Sequence, residues 1–303
     1  RRARAVAGDR VVIVTGEAQA AATREVVPDV ELVVEPVGRN TAPAIGLAAA
    51  QLAQRDPQAV FVVLPADQHI TDEAAFTRVL AQGLAAVEVD DVIGTLGITP
   101  TRAETGFGYL EVAAATPETV VPVLRFVEKP DRETAERYVA SGTYLWNAGI
   151  FFASAKRIMT ELETHVPPIG RAVQDIVAGK VAAADIYPTL TSISIDHAVM
   201  ERATRVVTIP ASVGWDDVGS WAALPALLGA DADGNTLTEL ALVVDGHGNI
   251  VIGDDATLIA TVGLSDVVVI KAGDAMLVIR KDAAQDVRKV VEALSARGLA
   301  RYL

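Results

Sequence analysis

The chain of 303 residues carries 39 acidic and 26 basic side chains, a formal net charge of −13, 51% hydrophobic residues and no cysteine. That length holds one large α/β domain, or a large domain with a small one, and the composition is globular. Disulfides, thiolate metal sites and a cysteine nucleophile are excluded; the charge repels nucleic acid polymers and anionic membranes; and no apolar run reaches the roughly 18 residues of a membrane span.

The opening Arg1-Arg2-Ala3-Arg4 is followed by no apolar stretch of the signal-peptide kind, so a cytoplasmic location is expected. Val11-Val12-Ile13-Val14 is a β-branched run ending at Thr15-Gly16, and Leu32-Val33-Val34 is another ending at Glu35-Pro36. Helical periodicity covers about Ala42 to Gln54. A strand from Val60 to Leu64 stops at Pro65-Ala66-Asp67, and a helix from about Glu73 to Val87 leads to a strand from Val92 to Ile98. Short apolar runs separated by amphipathic helices predict βαβ units and a parallel sheet, with ligands at the carboxyl ends of its strands. From about Glu104 to Ile150 the pattern is strand-rich, with one helix near Glu133 to Ser141. Further helices are predicted at about Lys156 to His165, Ile169 to Ala178 and Ile195 to Arg202, with another after Ser220.

After the turn-rich Gly229-Ala230-Asp231-Ala232-Asp233-Gly234-Asn235 the character changes. Runs such as Leu242-Val243-Val244, Ile250-Val251-Ile252, Leu258-Ile259-Ala260, Val267 to Ile270 and Met276 to Ile279 recur between short turns, which predicts a small all-β module with a β-helix as one form. A closing helix is predicted from about Ala283 to Arg297, with Gly298 as its C-terminal stop. The domains expected are residues 1–230 and 231–303.

Six stretches can carry chemistry, and each has a plainer reading. Asp67 is a carboxylate at the end of an apolar strand, which suits a divalent ion on phosphates as well as a turn cap. Asp216 and Asp217 lie between Gly214-Trp215 and Gly219-Ser220-Trp221; the two tryptophans can wall a site or fill a core. In Glu35-Pro36-Val37-Gly38-Arg39-Asn40-Thr41-Ala42-Pro43-Ala44, Asn40 or Thr41 is a helix N-cap, and free N–H groups there can bind a base edge or a phosphate. Glu128-Lys129 can meet sugar hydroxyls and a phosphate, or form a surface pair. Asn147, in an apolar strand, needs partners that sugar hydroxyls or backbone can provide. Gly106-Phe107-Gly108-Tyr109 permits close backbone approach or is a plain turn. The four histidines do not cluster, and no catalytic triad or Walker loop is found.

Taken in order, Glu35-Pro36-Val37-Gly38-Arg39-Asn40-Thr41-Ala42-Pro43-Ala44, Leu64-Pro65-Ala66-Asp67, Gly106-Phe107-Gly108-Tyr109, Phe126-Val127-Glu128-Lys129-Pro130, Trp146-Asn147-Ala148-Gly149, Ser194-Ile195-Asp196-His197-Ala198-Val199-Met200-Glu201 and Trp215-Asp216-Asp217-Val218-Gly219-Ser220-Trp221 resemble the GDP-mannose pyrophosphorylase family across nearly the whole chain. The resemblance implies a Rossmann-like nucleotidyltransferase domain with a mixed sheet, followed by a small module like part of a left-handed β-helix. It implies GTP and mannose 1-phosphate as substrates and GDP-mannose as product. Asp67 and Asp217 would hold Mg2+. Lys129 would sit near the sugar phosphate, and Glu128, Asn147 and Gly108, with Tyr109 and Asp196, would line the sugar. Glu35, Arg39, Asn40 and Thr41 would form the guanine end. A homodimer through an exposed edge of the β-module is expected as well.

The chain departs from the family in two places. The family's Gly-Gly-x-Gly-Thr-Arg-Leu-x-Pro loop, whose Arg acts with a following Lys on the triphosphate, matches no stretch here, and it is expected upstream of Arg1. Gln68 stands between Asp67 and His69, where relatives commonly read Ala-Asp-His. No cupin-type isomerase domain follows the β-module, so transferase activity alone is expected. The alternatives are a non-catalytic paralogue that binds nucleotide sugar and regulates a partner, or a nucleotidyltransferase for another sugar or base.

Overall fold

The computed structural model describes residues 1–302. They divide into two compact units, residues 1–66 with 70–215, and residues 67–69 with the chain from 216 on.

The first unit is built on one long apolar strand, Tyr144–Ser154, whose side chains alternate between two cores. Leu145, Phe151 and Ala153 join Leu47, Met159, Leu162 and Tyr187 on one face. Trp146, Ala148, Ile150 and Phe152 join Phe76, Val79 and Leu80 on the other. Helices Thr41–Arg55, Ala155–His165 and Pro167–Val177 pack against one another over the first core, and helix Glu73–Val89 covers the second.

Along one edge the long strand pairs antiparallel with Ile93–Ile98. Along the other it changes partner: its first residues pair with Tyr109–Glu111 and its last with Val60–Val63. The register with Ile93–Ile98 shifts between Thr95 and Gly97, and Gly149 has a φ of 70°. Such irregularities re-aim side chains and are common beside functional sites. Asn147 sits at this break.

The seven-stranded sheet is therefore mixed rather than wholly parallel. Parallel pairing holds for Ile93–Ile98 with Val206–Ala211, and for Val12–Gly16 with Glu31–Glu35, which form a separate ribbon. Val12 and Val14 of that ribbon pack against the same core as Phe61 and Val63.

The predicted elements are present, with ends shifted by a few residues. Asn40 is the N-cap of Thr41–Arg55, its side chain accepting from the Thr41 N–H at 2.8 Å. The helix expected over Ile195–Arg202 is a π-helical turn, Asp196–Met200, a form that often marks functional sites. Helix Glu17–Val26 and strand Val206–Ala211 were not marked by the pattern.

In the second unit, strands Thr236–Leu237, Ile250–Ile252 and Val267–Ala272 stack in parallel, and Ala275–Arg280 returns antiparallel. Ala241–Val244 and Ile259–Val262 form a second parallel pair. Ala241 pairs with Ile259 and Ile250 with Val268, a spacing of eighteen positions in both cases, as successive coils of a β-helix require. The coils are pinned by buried asparagines: Asn235 Oδ1 accepts from the Asn249 N–H at 2.9 Å, and Asn249 Oδ1 from the Val267 N–H at 3.1 Å. Trp221 packs on the Ile250, Val268 and Ile270 core of this unit. The closing helix runs Val287–Ala296, after a 3-10 stretch, Lys281–Asp286. Among the described residues no helix is long and apolar enough to cross a membrane.

Candidate functional site

Asn147 faces the side of the sheet where its strand neighbours are apolar, and it is nearly fully buried. A primary amide in that position must be bonded at both ends. Its backbone N–H donates to the Gly108 carbonyl at 2.8 Å. Its Oδ1 accepts from the Thr95 hydroxyl at 2.8 Å and from the Gly149 N–H at 3.3 Å. Its Nδ2 donates to Asp196 Oδ1 at 3.0 Å.

Asp196 opens the π-helical turn, and burial pushes its carboxyl above the usual range against the lowering influence of a backbone hydrogen bond, Asn147, Lys129 and His197. Glu128 is raised too, first by burial and then by the charge of Asp196, with Lys129 and His197 pulling the other way. The fold thus holds two carboxylates close enough to feel each other, in a setting that disfavours their charge. Carboxylates perturbed in this way cluster at functional sites.

Gly108 makes room for this pair. A Cβ there would lie 2.6 Å from Glu128 Oε2 and 3.4 Å from the Asn147 Cβ, so any larger residue would displace the carboxylate. Lys129 Nζ lies 3.3 Å from Glu128 Oε1, and the lysine itself has a φ of 45°. A non-glycine residue in that region is uncommon and is held there by its surroundings. The Glu128 N–H donates to Glu201 Oε1 at 3.4 Å, and Glu201 Oε2 lies 3.3 Å from His197 Nδ1. Thr95, His197 and Glu201 thus belong to the cluster although no role was expected for them. His197 and Glu201 stand in the quoted Ser194–Glu201 stretch; Thr95 sits mid-strand, where threonine is ordinary.

Tyr109 is fully buried, and its hydroxyl accepts from the Glu104 N–H at 3.0 Å and donates to the Glu104 carbonyl at 2.9 Å. It ties down the loop before Gly106. Phe107 makes edge contacts with Trp146 and Trp215, at 5.2 and 5.3 Å between ring centres.

The Glu35–Thr41 stretch is fastened to residues 187–195. Glu35 Oε1 accepts from the Tyr187 hydroxyl at 2.5 Å, and burial together with this bond pushes that phenol far up. Arg39 donates to the Pro188 carbonyl, Thr41 Oγ1 accepts from the Ile195 N–H at 2.8 Å, and Asn40 has a φ of 67°. The side chains of Glu35, Arg39 and Thr41 brace the loop, and its backbone is held in one shape.

Asp67 is exposed beyond strand Val60–Val63. Asp217 is half-buried in a turn held by an Asx bond, in which the Val218 N–H donates to Asp216 Oδ1 at 2.7 Å. Asp67 and Asp217 both belong to the second unit. Among the described residues no group of three or more His, Asp or Glu side chains is placed to hold a metal ion. The hard carboxylate oxygens of Asp67 and Asp217 suit Mg2+, which usually takes one or two protein carboxylates and completes its shell with phosphate and water.

The raised Asp196 carboxyl has a consequence for stability. Between its ordinary value, about 3.9, and its raised folded value, the folded state holds more protons than the unfolded. Stability therefore falls as pH rises through that window. Asp196→Asn keeps an acceptor for Asn147 and removes the buried charge. We expect it to melt above wild type at pH 8, with the gain vanishing as pH falls toward the ordinary carboxyl value. Calorimetry at pH 8 and near that ordinary value checks this, and a variant that melts lower at pH 8 would show the charge to be stabilising.

The chain resembles known proteins throughout. Residues 9–233 match the family model described as Nucleotidyl transferase, and residues 240–294 match the MannoseP isomerase/GMP-like beta-helix domain. It is 39% identical over 277 residues to "Alginate biosynthesis protein AlgA" of Pseudomonas aeruginosa, covering 88% of this chain and 57% of that protein. It is 37% identical over 281 residues to "Mannose-1-phosphate guanylyltransferase" of Klebsiella pneumoniae, covering 89% and 59%. The chain thus spans less than two thirds of the length of these relatives. Among solved structures, "mannose-1-phosphate geranyltransferase" from Thermus thermophilus superimposes with a TM-score of 0.86 at 34% identity, over 96% of this chain and 87% of that one.

Proposed function

The chain belongs to the nucleotidyl transferase family, and we propose that it transfers GMP from GTP to mannose 1-phosphate, giving GDP-mannose and pyrophosphate. The observation that carries this reading is the buried Glu128–Asn147–Asp196 cluster of the first unit. Its carboxylates are acceptors in a dry setting, which suits the many hydroxyl donors of a sugar. The name of the Klebsiella pneumoniae relative supplies the choice of mannose and guanine.

In this reading an oxygen of the sugar phosphate attacks the α-phosphorus of GTP in line. The bond to the β-phosphate breaks, and pyrophosphate leaves with no covalent enzyme intermediate. Such a reaction depends on positioning and charge neutralisation. Glu128, Asn147, Asp196 and the Gly108 backbone orient the sugar, and exposed Lys129 meets its phosphate. The braced Glu35–Thr41 loop reads guanine, with Asn40 and its neighbours offering backbone groups at a helix start. Asp67 and Asp217 would hold Mg2+, which would supply charge neutralisation to the phosphates. The reaction belongs to the cytoplasm. The outward Leu242, Val244 and Val262 of the β-module offer an apolar face for a homodimer.

The test is pyrophosphate release from GTP by the protein that carries this chain, with mannose 1-phosphate and Mg2+. We expect GTP and mannose 1-phosphate to be preferred at least about tenfold in kcat/KM over other nucleotides and sugar phosphates. Preference for another pair would reassign sugar or base. A folded protein that binds GDP-mannose and releases no pyrophosphate with any pair would be the regulatory paralogue.

A further inference from the structure

Thr95 lies fully buried in the inner strand Ile93–Ile98, at a position a valine would fill equally well. A hydroxyl there is unfavourable unless it is bonded. Its single proton faces two acceptors, Asn147 Oδ1 at 2.8 Å and the Ile150 carbonyl at 3.0 Å.

The Asn147 amide has two unlike ends. As placed, Oδ1 meets two donors, the Thr95 hydroxyl and the Gly149 N–H, while Nδ2 faces the acceptor Asp196. Turned over, it would set N–H against the Gly149 N–H and Oδ1 against the Asp196 carboxylate. The Gly149 N–H, which can only donate, and the Asp196 carboxylate, which can only accept, set which end of the amide faces which way; the Thr95 hydroxyl, between Asn147 Oδ1 and the Ile150 carbonyl, ties the amide to the inner strands.

We propose that Thr95 is a positioning residue for the sugar phosphate: its hydroxyl anchors the Asn147 amide between the inner strands and Asp196, and so holds in place the donors and acceptors the site offers to a sugar. This rests on the reading of Glu128, Asn147 and Asp196 as the sugar subsite. Thr95 touches no reacting atom and acts through Asn147. The Asn147 hydrogen bond lowers the Asp196 carboxyl, which is also subject to the charges of Lys129 and His197 and lies near that of Glu128. Losing a steady donor raises the Asp196 carboxyl further.

The experiment compares Thr95→Val, which keeps the shape, with Thr95→Ser, which keeps the hydroxyl. In Thr95→Val we expect KM for mannose 1-phosphate to rise about tenfold while KM for GTP changes less than about twofold. The acid limb of kcat/KM for the sugar phosphate moves to higher pH. Thr95→Ser restores both within about threefold.

A second measurement needs no turnover. The side-chain amide protons of Asn147 are followed by heteronuclear NMR and assigned by their loss in Asn147→Asp. Wild type and Thr95→Ser give one slowly exchanging pair; Thr95→Val gives a doubled or faster-exchanging one. An unchanged amide signal in Thr95→Val, or an equal rise in both KM values, overturns the proposal. If the wild type turns over no mannose 1-phosphate, the assigned function fails on its own, and the amide signal still decides whether Thr95 fixes Asn147.

Discussion

Asp217→Asn is expected to lower nucleotidyl transfer on the order of a thousandfold and to leave the fold in place. A carboxylate that helps hold a metal on transferring phosphates is worth several kcal/mol in the transition state, and each 1.36 kcal/mol is about tenfold in rate. The turn around Asp217 shows a structural investment. Val218 has a φ of 51°, a conformation that is a genuine outlier for a β-branched residue and costs about 1–3 kcal/mol. Gly219 leaves room for this carboxylate, because a Cβ there would lie 2.4 Å from Asp217 Oδ2 and would displace it. The Asx bond that closes the turn comes from Asp216, so replacing the neighbouring carboxylate by an amide would leave it intact. The variant should therefore melt like wild type, while its rate falls and its Mg2+ requirement rises. Near-normal turnover at low Mg2+ would remove Asp217 from the metal site.

The parts of this fold that were legible are those where local pattern and tertiary role agree. Helix Thr41–Arg55 carries its own cap in Asn40, and Tyr144–Ser154 is a continuous apolar run that ends up buried on both faces. Its antiparallel entry was not legible, because an apolar run does not state its direction. Val206–Ala211 escaped notice because Pro210 argues against an inner strand. It is tolerated there because the short partner strand Val121–Pro122 pairs only with Val207 and Thr208, so no partner on that side needs an N–H from residue 210. Helix Glu17–Val26 is alanine-rich, with only Ala20 buried, and so shows little periodicity.

For the candidate site, the residues were visible and their partners were not. Asn147 stood out as an amide in an apolar strand, which is a statement about burial and can be made from one segment. That its oxygen is held by Thr95 and its nitrogen by Asp196 depends on three distant segments converging, and no spacing encodes it. Glu35, Arg39 and Thr41 are expected at the guanine end from the family resemblance alone, since the stretch by itself reads as a capped helix start. The fold engages all three with residues 187–195, contacts that no local spacing encodes.

Glu128→Gln tests the proposed sugar subsite directly. The carboxylate is only 9% exposed, lies against Gly108 and is paired with Lys129. Glutamine keeps its shape and one acceptor but loses the charge. Hydrogen bonds to a charged group are worth about 1.5–3 kcal/mol, which converts to about 10–150-fold. We expect KM for mannose 1-phosphate to rise within that range, and KM for GTP to change less than about threefold. Stability should move the other way. Burial and Asp196 hold the Glu128 carboxyl above its ordinary value, so its ionisation weakens the folded state as pH rises through the window between the two. The neutral variant escapes that loss and should melt at or above the wild-type temperature at pH 8. A weaker enzyme that is no less stable is the signature of a group kept for its ligand. Equal rises in both KM values, together with a lower melting temperature, would make Glu128 a structural residue and take away the main support for a sugar subsite here.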